Sequence, residues 1–155
     1  MKTFLILAIG ASLTMPVFGQ TPTAATAAFQ KKFPTAQSVH WEQEADGTYE
    51  ADFKMNGKKM SAAFSAVGIW LETETAIKTK ALPEAVRAAI AEAFSGYEIE
   101  EAERVETQEG VVYEVKLEKE ADGKETELEV LFAGDGKVLR QEQEDEEEDD
   151  EEGDG

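Results

Sequence analysis

The chain has 155 residues, of which 34 are acidic and 15 basic, and its formal net charge at pH 7 is −19. This length accommodates one domain or two small ones. The sequence has no cysteine, which excludes disulfides, thiolate zinc sites, iron–sulfur clusters and cysteine nucleophiles, and its negative charge argues against nucleic acid and anionic lipid as partners.

The first segment, residues 1–19, has the pattern of a secretory signal peptide. Lys2 supplies the positive start, an apolar run begins at Phe4, and Val17–Gly19 offers a cleavage context before Gln20. The apolar run is too short for a membrane anchor and is interrupted by small and polar residues. The sequence therefore predicts a periplasmic or secreted protein with no membrane insertion after signal cleavage.

Residues 20–81 predict a helix followed by four antiparallel strands. Apolar residues at positions 25, 28, 29 and 33 recur at helical spacing, and Pro34 ends that helix. From Tyr49 to Met55 apolar and charged residues alternate, which is typical of a half-buried strand. Asn56-Gly57 predicts a tight hairpin, because both central residues of such a turn need a positive φ.

Residues 82–141 repeat this organisation. Leu82, Val86, Ile90 and Phe94 follow one another at intervals of four and predict a second amphipathic helix. Four further alternating segments follow, separated by glycine-containing turns. The sequence therefore predicts an α+β fold made by tandem duplication of a helix plus four-stranded antiparallel sheet unit, in which each sheet buries one face under its helix.

The last segment, residues 142–155, contains eleven acidic residues, no basic residue and no apolar residue. Nothing in it can offset the entropy of ordering, and its like charges repel, so we expect a disordered acidic tail. Two roles stay open: a solubilising tail, or loose binding of divalent cations or of a basic partner.

Several motifs lie along the middle of the chain. They are Phe29-x-x-x-Phe33-Pro34-x-Ala36-x-x-Val39-x-Trp41, Tyr49-x-Ala51-x-Phe53, Asn56-Gly57, Ala63-Phe64, Gly68-x-Trp70-Leu71-x-Thr73-Glu74 and Leu82-Pro83-x-x-Val86. Together they resemble the PepSY-like family, also called beta-lactamase-inhibitor-like (BLIP-like) proteins, which are small exported bacterial proteins. The resemblance covers nearly all of residues 24–140 and implies a tandem of helix-plus-four-strand units with a broad sheet surface. In true beta-lactamase inhibitory proteins that surface binds an enzyme, and those proteins use cysteines that this chain lacks.

Trp70 is the strongest candidate for contact with a partner. By strand alternation it points away from the face shared by Ile69 and Leu71, so it could anchor a partner on the wet face of the sheet. Met55 and Met60 flank the predicted hairpin and would extend this contact surface. Alternatively, Trp70 meets the second unit and belongs to a core between the two units.

The same alternation places Glu72 and Glu74 on the face of Trp70, at a spacing of about 7 Å that paired carboxylates could use for acid–base chemistry. In so acidic a chain this spacing alone is a weak indication of a hydrolase. The single histidine, His40, has no histidine partner, and we predict no catalytic residue, cofactor or metal.

The leading prediction is a non-enzymatic exported binding module that binds or inhibits an envelope protein or peptide through its sheet surface. The alternative is a structural or stress-related envelope protein with a cation-binding tail. The sequence leaves the oligomeric state open.

Overall fold

A computed structural model describes residues 21–121 and 123–144 of the chain. The predicted signal peptide, residues 1–19, and the part of the predicted tail beyond residue 144 lie outside the described residues. The elements in chain order are α1 (Thr23–Lys32), β1 (Gln37–Gln43), β2 (Tyr49–Met55), β3 (Lys58–Phe64), β4 (Trp70–Ala76), a short 3-10 helix (Thr79–Ala81), α2 (Glu84–Ala93), β5 (Glu98–Thr107), β6 (Val111–Ala121), β7 (Lys124–Ala133) and β8 (Val138–Glu144).

The eight strands form one antiparallel sheet in which every strand pairs with its neighbours in sequence, from β1 to β8. β4 and β5 are joined in register from Glu72 opposite Thr107 to Ala76 opposite Glu103. The prediction of two units, each with its own four-stranded sheet, is therefore wrong: over the described residues the chain forms a single eight-stranded sheet with two short α-helices.

The physical reason for this continuity lies in the edges of the strands. Two separate sheets would leave β4 and β5 with unpaired backbone N–H and C=O groups, whereas pairing the two strands satisfies both rows. Alternation in the sequence predicts which face of a strand is buried, but it does not predict which strand lies beside it.

Both helices pack on the same face of the sheet, and the two main hydrophobic clusters lie beneath them. Ala25 and Phe29 of α1 pack against Phe53 and Phe64. The rings of Phe29 and Phe53 meet edge to face, with their centroids 5.0 Å apart. α2 contributes its buried side chains to a second cluster, which comprises Leu82, Val86, Ile90, Phe94, Ala102, Val115, Leu117, Leu128, Val130 and Phe132. The predicted apolar faces of both helices therefore face the core, as the helical spacing requires.

The turns follow the local chemistry of the sequence. Asn56 and Gly57 have φ angles of 53° and 75° and join β2 to β3 in the predicted hairpin. Gly68, with a φ of 81°, lies in the next turn, between β3 and β4, and this turn contacts the first residues of α1. A β-carbon at Gly68 would lie 2.6 Å from the backbone oxygen of Ala24, so the turn can touch the helix only because it has no side chain there.

We expect Gly68→Ala to destabilise the protein more than Gly47→Ala, by roughly 1–3 kcal/mol. Gly47 is a matched control, because its φ of 86° is similar but a β-carbon there would meet nothing within 4 Å. Urea unfolding of both variants measures the difference. Equal losses of stability would show that α1 can move away from the turn without cost.

Candidate functional site

The face of the sheet opposite the helices carries a concentration of carboxylates. The strand register aligns Glu50 with Glu72 across Ala63, and Asp52 with Glu74 across Ser61. Further along the sheet, Glu103 lies directly opposite Glu114. We call this surface the acidic face, defined by Glu42, Glu50, Asp52, Glu72, Glu74, Glu103, Glu114 and Glu129.

A bulge in β4 decides which side chains reach this face. Ala63 pairs with Glu72 but Phe64 pairs with Trp70, so Leu71 is the extra residue that reverses the alternation. Glu72 and Glu74 consequently lie on the acidic face while Trp70 packs against the cluster beneath α1. The expectation that Trp70 shares a face with the two glutamates is therefore wrong.

The predicted contact residues Trp70, Met55 and Met60 are half-buried at the margin of the cluster beneath α1. The Trp70 indole N–H donates a hydrogen bond to Thr73 Oγ1 at 2.9 Å, and Lys32 Nζ lies 3.9 Å from the ring centroid. These contacts hold Trp70 on the helix side. The structure brings the three residues near one cluster but places none of them on the acidic face, and their role in partner binding stays a prediction.

Three carboxylates from neighbouring strands converge at the centre of the acidic face. Glu74 of β4, Glu103 of β5 and Glu114 of β6 each present an oxygen, and these oxygens all lie within 4.8 Å of one another. We call these three residues the carboxylate cluster. The Ser61 hydroxyl donates a hydrogen bond to Glu74 Oε2 at 3.1 Å, and Glu74 is 8% exposed.

Burial is the main cause that raises the pKa of each member of the carboxylate cluster, and nearby carboxylates raise it further. The pKa of Glu114 rises from 4.5 to about 8 through burial and the charges of Glu129 and Glu103, against the opposing effect of Arg140. The pKa of Glu74 is raised by burial and then by Glu103 and Glu114. Burial and neighbouring carboxylates also raise the pKa of Glu103, while a hydrogen bond with Glu74 opposes the rise.

Glu72 lies beside the carboxylate cluster and is the most deeply buried acidic residue of this face among the described residues. It is 4% exposed, and its Oε1 is buried with no hydrogen-bond partner. Burial raises its pKa from 4.5 to about 7, opposed by Arg140. An unpaired polar oxygen in such a position costs free energy, so it marks a place where the fold alone leaves a group unsatisfied.

Basic side chains accompany the carboxylates at the β6–β8 end of the acidic face. Arg140 Nη2 lies 2.7 Å from Glu129 and 3.7 Å from Glu114. Lys116 lies 2.8 Å from Glu127. On the β2 side, burial and then repulsion from Asp52 raise the pKa of Glu50 to about 7. The face thus combines local ion pairs with carboxylates whose charges repel one another.

A groove of about 410 Å³ lies on the other side of the molecule, between α1 and β1, and Phe29, Phe33, Val39 and Trp41 contribute to its walls. This groove is remote from Glu72 and Glu74, the pair considered for acid–base chemistry, because those side chains point to the opposite face of the sheet. The raised pKa values of the two glutamates come from burial in the sheet surface rather than from this groove.

Glu103 and Glu114 are site residues that the sequence alone did not predict. Alternation along β5 and β6 places both on one face of the sheet. Their meeting with Glu74 depends on the pairing of β4 with β5, for which the sequence offers no separate signal.

Among the described residues, no helix is both long and apolar enough to cross a membrane.

No curated protein matches the sequence. Solved structures do resemble it. A protein from Bacteroides eggerthii, described among "putative periplasmic proteins", is 27% identical, with 81% of this chain and 90% of that chain covered and a TM-score of 0.72.

Two further structures support the same fold. A DUF2874 family protein from Bacteroides uniformis is 26% identical over 79% of this chain and 88% of its own, with a TM-score of 0.71. A BLIP-like protein from Bacteroides fragilis is 25% identical over 79% of this chain and 86% of its own, with a TM-score of 0.65. The family described as "Putative beta-lactamase-inhibitor-like, PepSY-like" matches residues 47–140. This match spans β2 to β8 and most of the acidic face, and by it the chain belongs to the PepSY-like family.

Proposed function

We propose that the protein is an exported, non-enzymatic binding module that holds a basic segment of an envelope protein or peptide on its acidic face. The observation that carries this proposal is the set of buried, mutually repelling carboxylates on a face of the sheet that neither helix covers.

The electrostatics of the face favour a basic partner. Glu50, Glu72 and Glu114 all have pKa values raised to about 7 or 8, so near neutral pH a substantial part of their population is protonated. A lysine or arginine from a partner would stabilise the ionised form of these groups and relieve the repulsion between them. Strongly perturbed pKa values concentrate at functional sites, where burial and neighbouring charges are arranged to shift them.

The comparisons support the export and the absence of catalysis as parts of the proposal. The Bacteroides eggerthii neighbour is described as periplasmic, and residues 1–19 have the pattern of a signal peptide. The family is described as beta-lactamase-inhibitor-like, and inhibitors of enzymes act by binding.

Binding of a lysine-rich decapeptide, followed by fluorescence anisotropy in EDTA, tests the proposal. We expect Glu42→Gln/Asp52→Asn, at two exposed positions of the acidic face, to weaken binding about three- to tenfold and to reduce its dependence on salt. Glu92→Gln/Glu109→Gln is the matched control, since it removes two exposed carboxylates from α2 and from the loop between β5 and β6.

Equal weakening by both double variants would show that the peptide responds only to net charge, and the acidic face would not be the binding surface. Capture of partners from envelope extract with the same variants then extends the test to natural ligands. Trp70→Ala provides the third arm: loss of capture in this variant alone would assign binding to the surface of Trp70, Met55 and Met60.

A further inference from the structure

The carboxylate cluster has the composition of a site for a hard cation. Its three members are glutamates, and carboxylate oxygens are the preferred ligands of calcium and magnesium, whereas zinc and copper favour nitrogen and sulfur. Each glutamate comes from a different strand of one continuous sheet, which is a rigid support for a ligand set.

The oxygens of Glu74, Glu103 and Glu114 are close enough for one ion to contact all three, since they lie within 4.8 Å of one another. Calcium accepts about six to eight oxygen ligands in a flexible geometry, whereas magnesium requires a near-ideal octahedron and usually keeps several waters. A set of three glutamates fixed by the register of a sheet therefore suits calcium better than magnesium.

Glu72 supplies an independent indication of a missing ligand. It lies two residues before Glu74 on the same face, it is 4% exposed, and its buried Oε1 has no hydrogen-bond partner. Its charge raises the pKa of both Glu74 and Glu114, so it lies near the cluster. A cation between these residues would give that oxygen the partner it lacks.

Arg140 is the main positive charge beside the cluster. It faces Glu114 at 3.7 Å and opposes a cation there, but it also contacts Glu129 at 2.7 Å and Glu142 at 3.5 Å. Its charge acts on Glu72 as well, so it is shared among at least four carboxylates. Ser61 adds a neutral oxygen beside Glu74.

We propose that Glu74, Glu103 and Glu114, with Glu72 beside them, form a binding site for one calcium ion on the sheet. This inference goes beyond the proposed function, because it assigns one ion to three side chains from three strands, whereas the proposed function concerns a basic segment that lies across the acidic face.

Calorimetric titration of the purified mature protein with calcium chloride, after treatment with EDTA, tests the site. We expect one saturable site in addition to any weak binding by the acidic tail. Glu103→Gln/Glu114→Gln should weaken this site at least tenfold and leave the weak binding unchanged. Glu92→Gln/Glu109→Gln, which removes the same number of carboxylates, should bind calcium as the unaltered protein does.

Glu72→Gln, a second variant, should weaken the site without removing any of the three clustered carboxylates. Circular dichroism and the midpoint of thermal unfolding establish that each variant is folded. Identical isotherms for the cluster and control variants would assign calcium binding to net charge or to the tail and would overturn the proposal, as would the absence of a saturable site in the unaltered protein. Tighter binding of magnesium than of calcium would overturn the choice of ion.

The decapeptide assay is run in EDTA and the calcium titration without peptide, so the failure of one proposal leaves the other standing.

Discussion

The free energy of unfolding is expected to fall as the pH rises from about 4.5 to about 8 in the absence of divalent cations. Glu50 and Glu72 have pKa values raised to about 7, and Glu114 to about 8, whereas an unfolded glutamate ionises near 4.5. In this window the folded protein binds more protons than the unfolded chain, so raising the pH favours unfolding. The stabilisation is fully present below pH 4.5 and is lost as the pH passes the folded pKa values.

Urea unfolding at intervals between pH 5 and pH 9, in EDTA, measures this slope. Glu72→Gln isolates one contributor, because an amide of similar shape cannot ionise. At pH 8.5 we expect Glu72→Gln to be more stable than the unaltered protein by about 1–2 kcal/mol, after allowing for the opposing charge of Arg140. At pH 5 the two proteins should differ little, because Glu72 is then protonated.

Glu92→Gln is the control for this prediction, since Glu92 is exposed on α2 and distant from the acidic face. Its pH profile should follow that of the unaltered protein. A profile that rises with pH, or a Glu72→Gln variant that is less stable at pH 8.5, would contradict the electrostatic account of the acidic face.

Buried carboxylates that repel one another weaken the fold, which raises the question of what they contribute. A glutamine at position 72 would satisfy the steric requirements of the sheet without the cost of an unpaired charge. Residues that lower stability in this way are expected where a surface is shaped for a ligand rather than for folding. The pH profile is therefore linked to both proposals, because a basic segment or a calcium ion would remove the same penalty.

Local structure was largely predictable from the sequence. The helical spacing before Pro34, the alternation from Tyr49 to Met55 and the hairpin at Asn56-Gly57 depend on interactions between near neighbours, and the structure contains each of these elements. The pairing of β4 with β5 was not predictable, because it depends on how a connection of more than twenty residues returns the chain to an open edge.

The candidate site was predictable only in part, for two physical reasons. Alternation identified Glu72 and Glu74 as neighbours on one face, but the bulge at Leu71 moved Trp70 to the other face. A single extra residue in a strand has no distinctive composition, so the sequence does not reveal the bulge, and regular alternation assigns Trp70 to the wrong face. Glu103 and Glu114 join the site only through the long-range register of the sheet.

The continuity of the sheet predicts that the two halves of the protein unfold together. Phe132 of β7 is fully buried beneath α2, and Phe132→Ala should cost about 3–5 kcal/mol through lost burial and the cavity that remains. Both tryptophans of the chain, Trp41 and Trp70, lie in the other half, beneath α1. Tryptophan fluorescence therefore reports on a region that the substitution does not touch.

If the β4–β5 pairing couples the halves, Phe132→Ala shifts the urea midpoint measured by tryptophan fluorescence as far as the midpoint measured by circular dichroism. Val138→Ala, at a position that is 39% exposed in β8, controls for substitution in the same half and should shift neither midpoint appreciably. Two independent units would behave differently: fluorescence would keep its original midpoint while circular dichroism separated into two transitions. Such a separation would mean that the five residue pairs from Glu72 to Ala76 join β4 to β5 but do not couple the unfolding of the two halves.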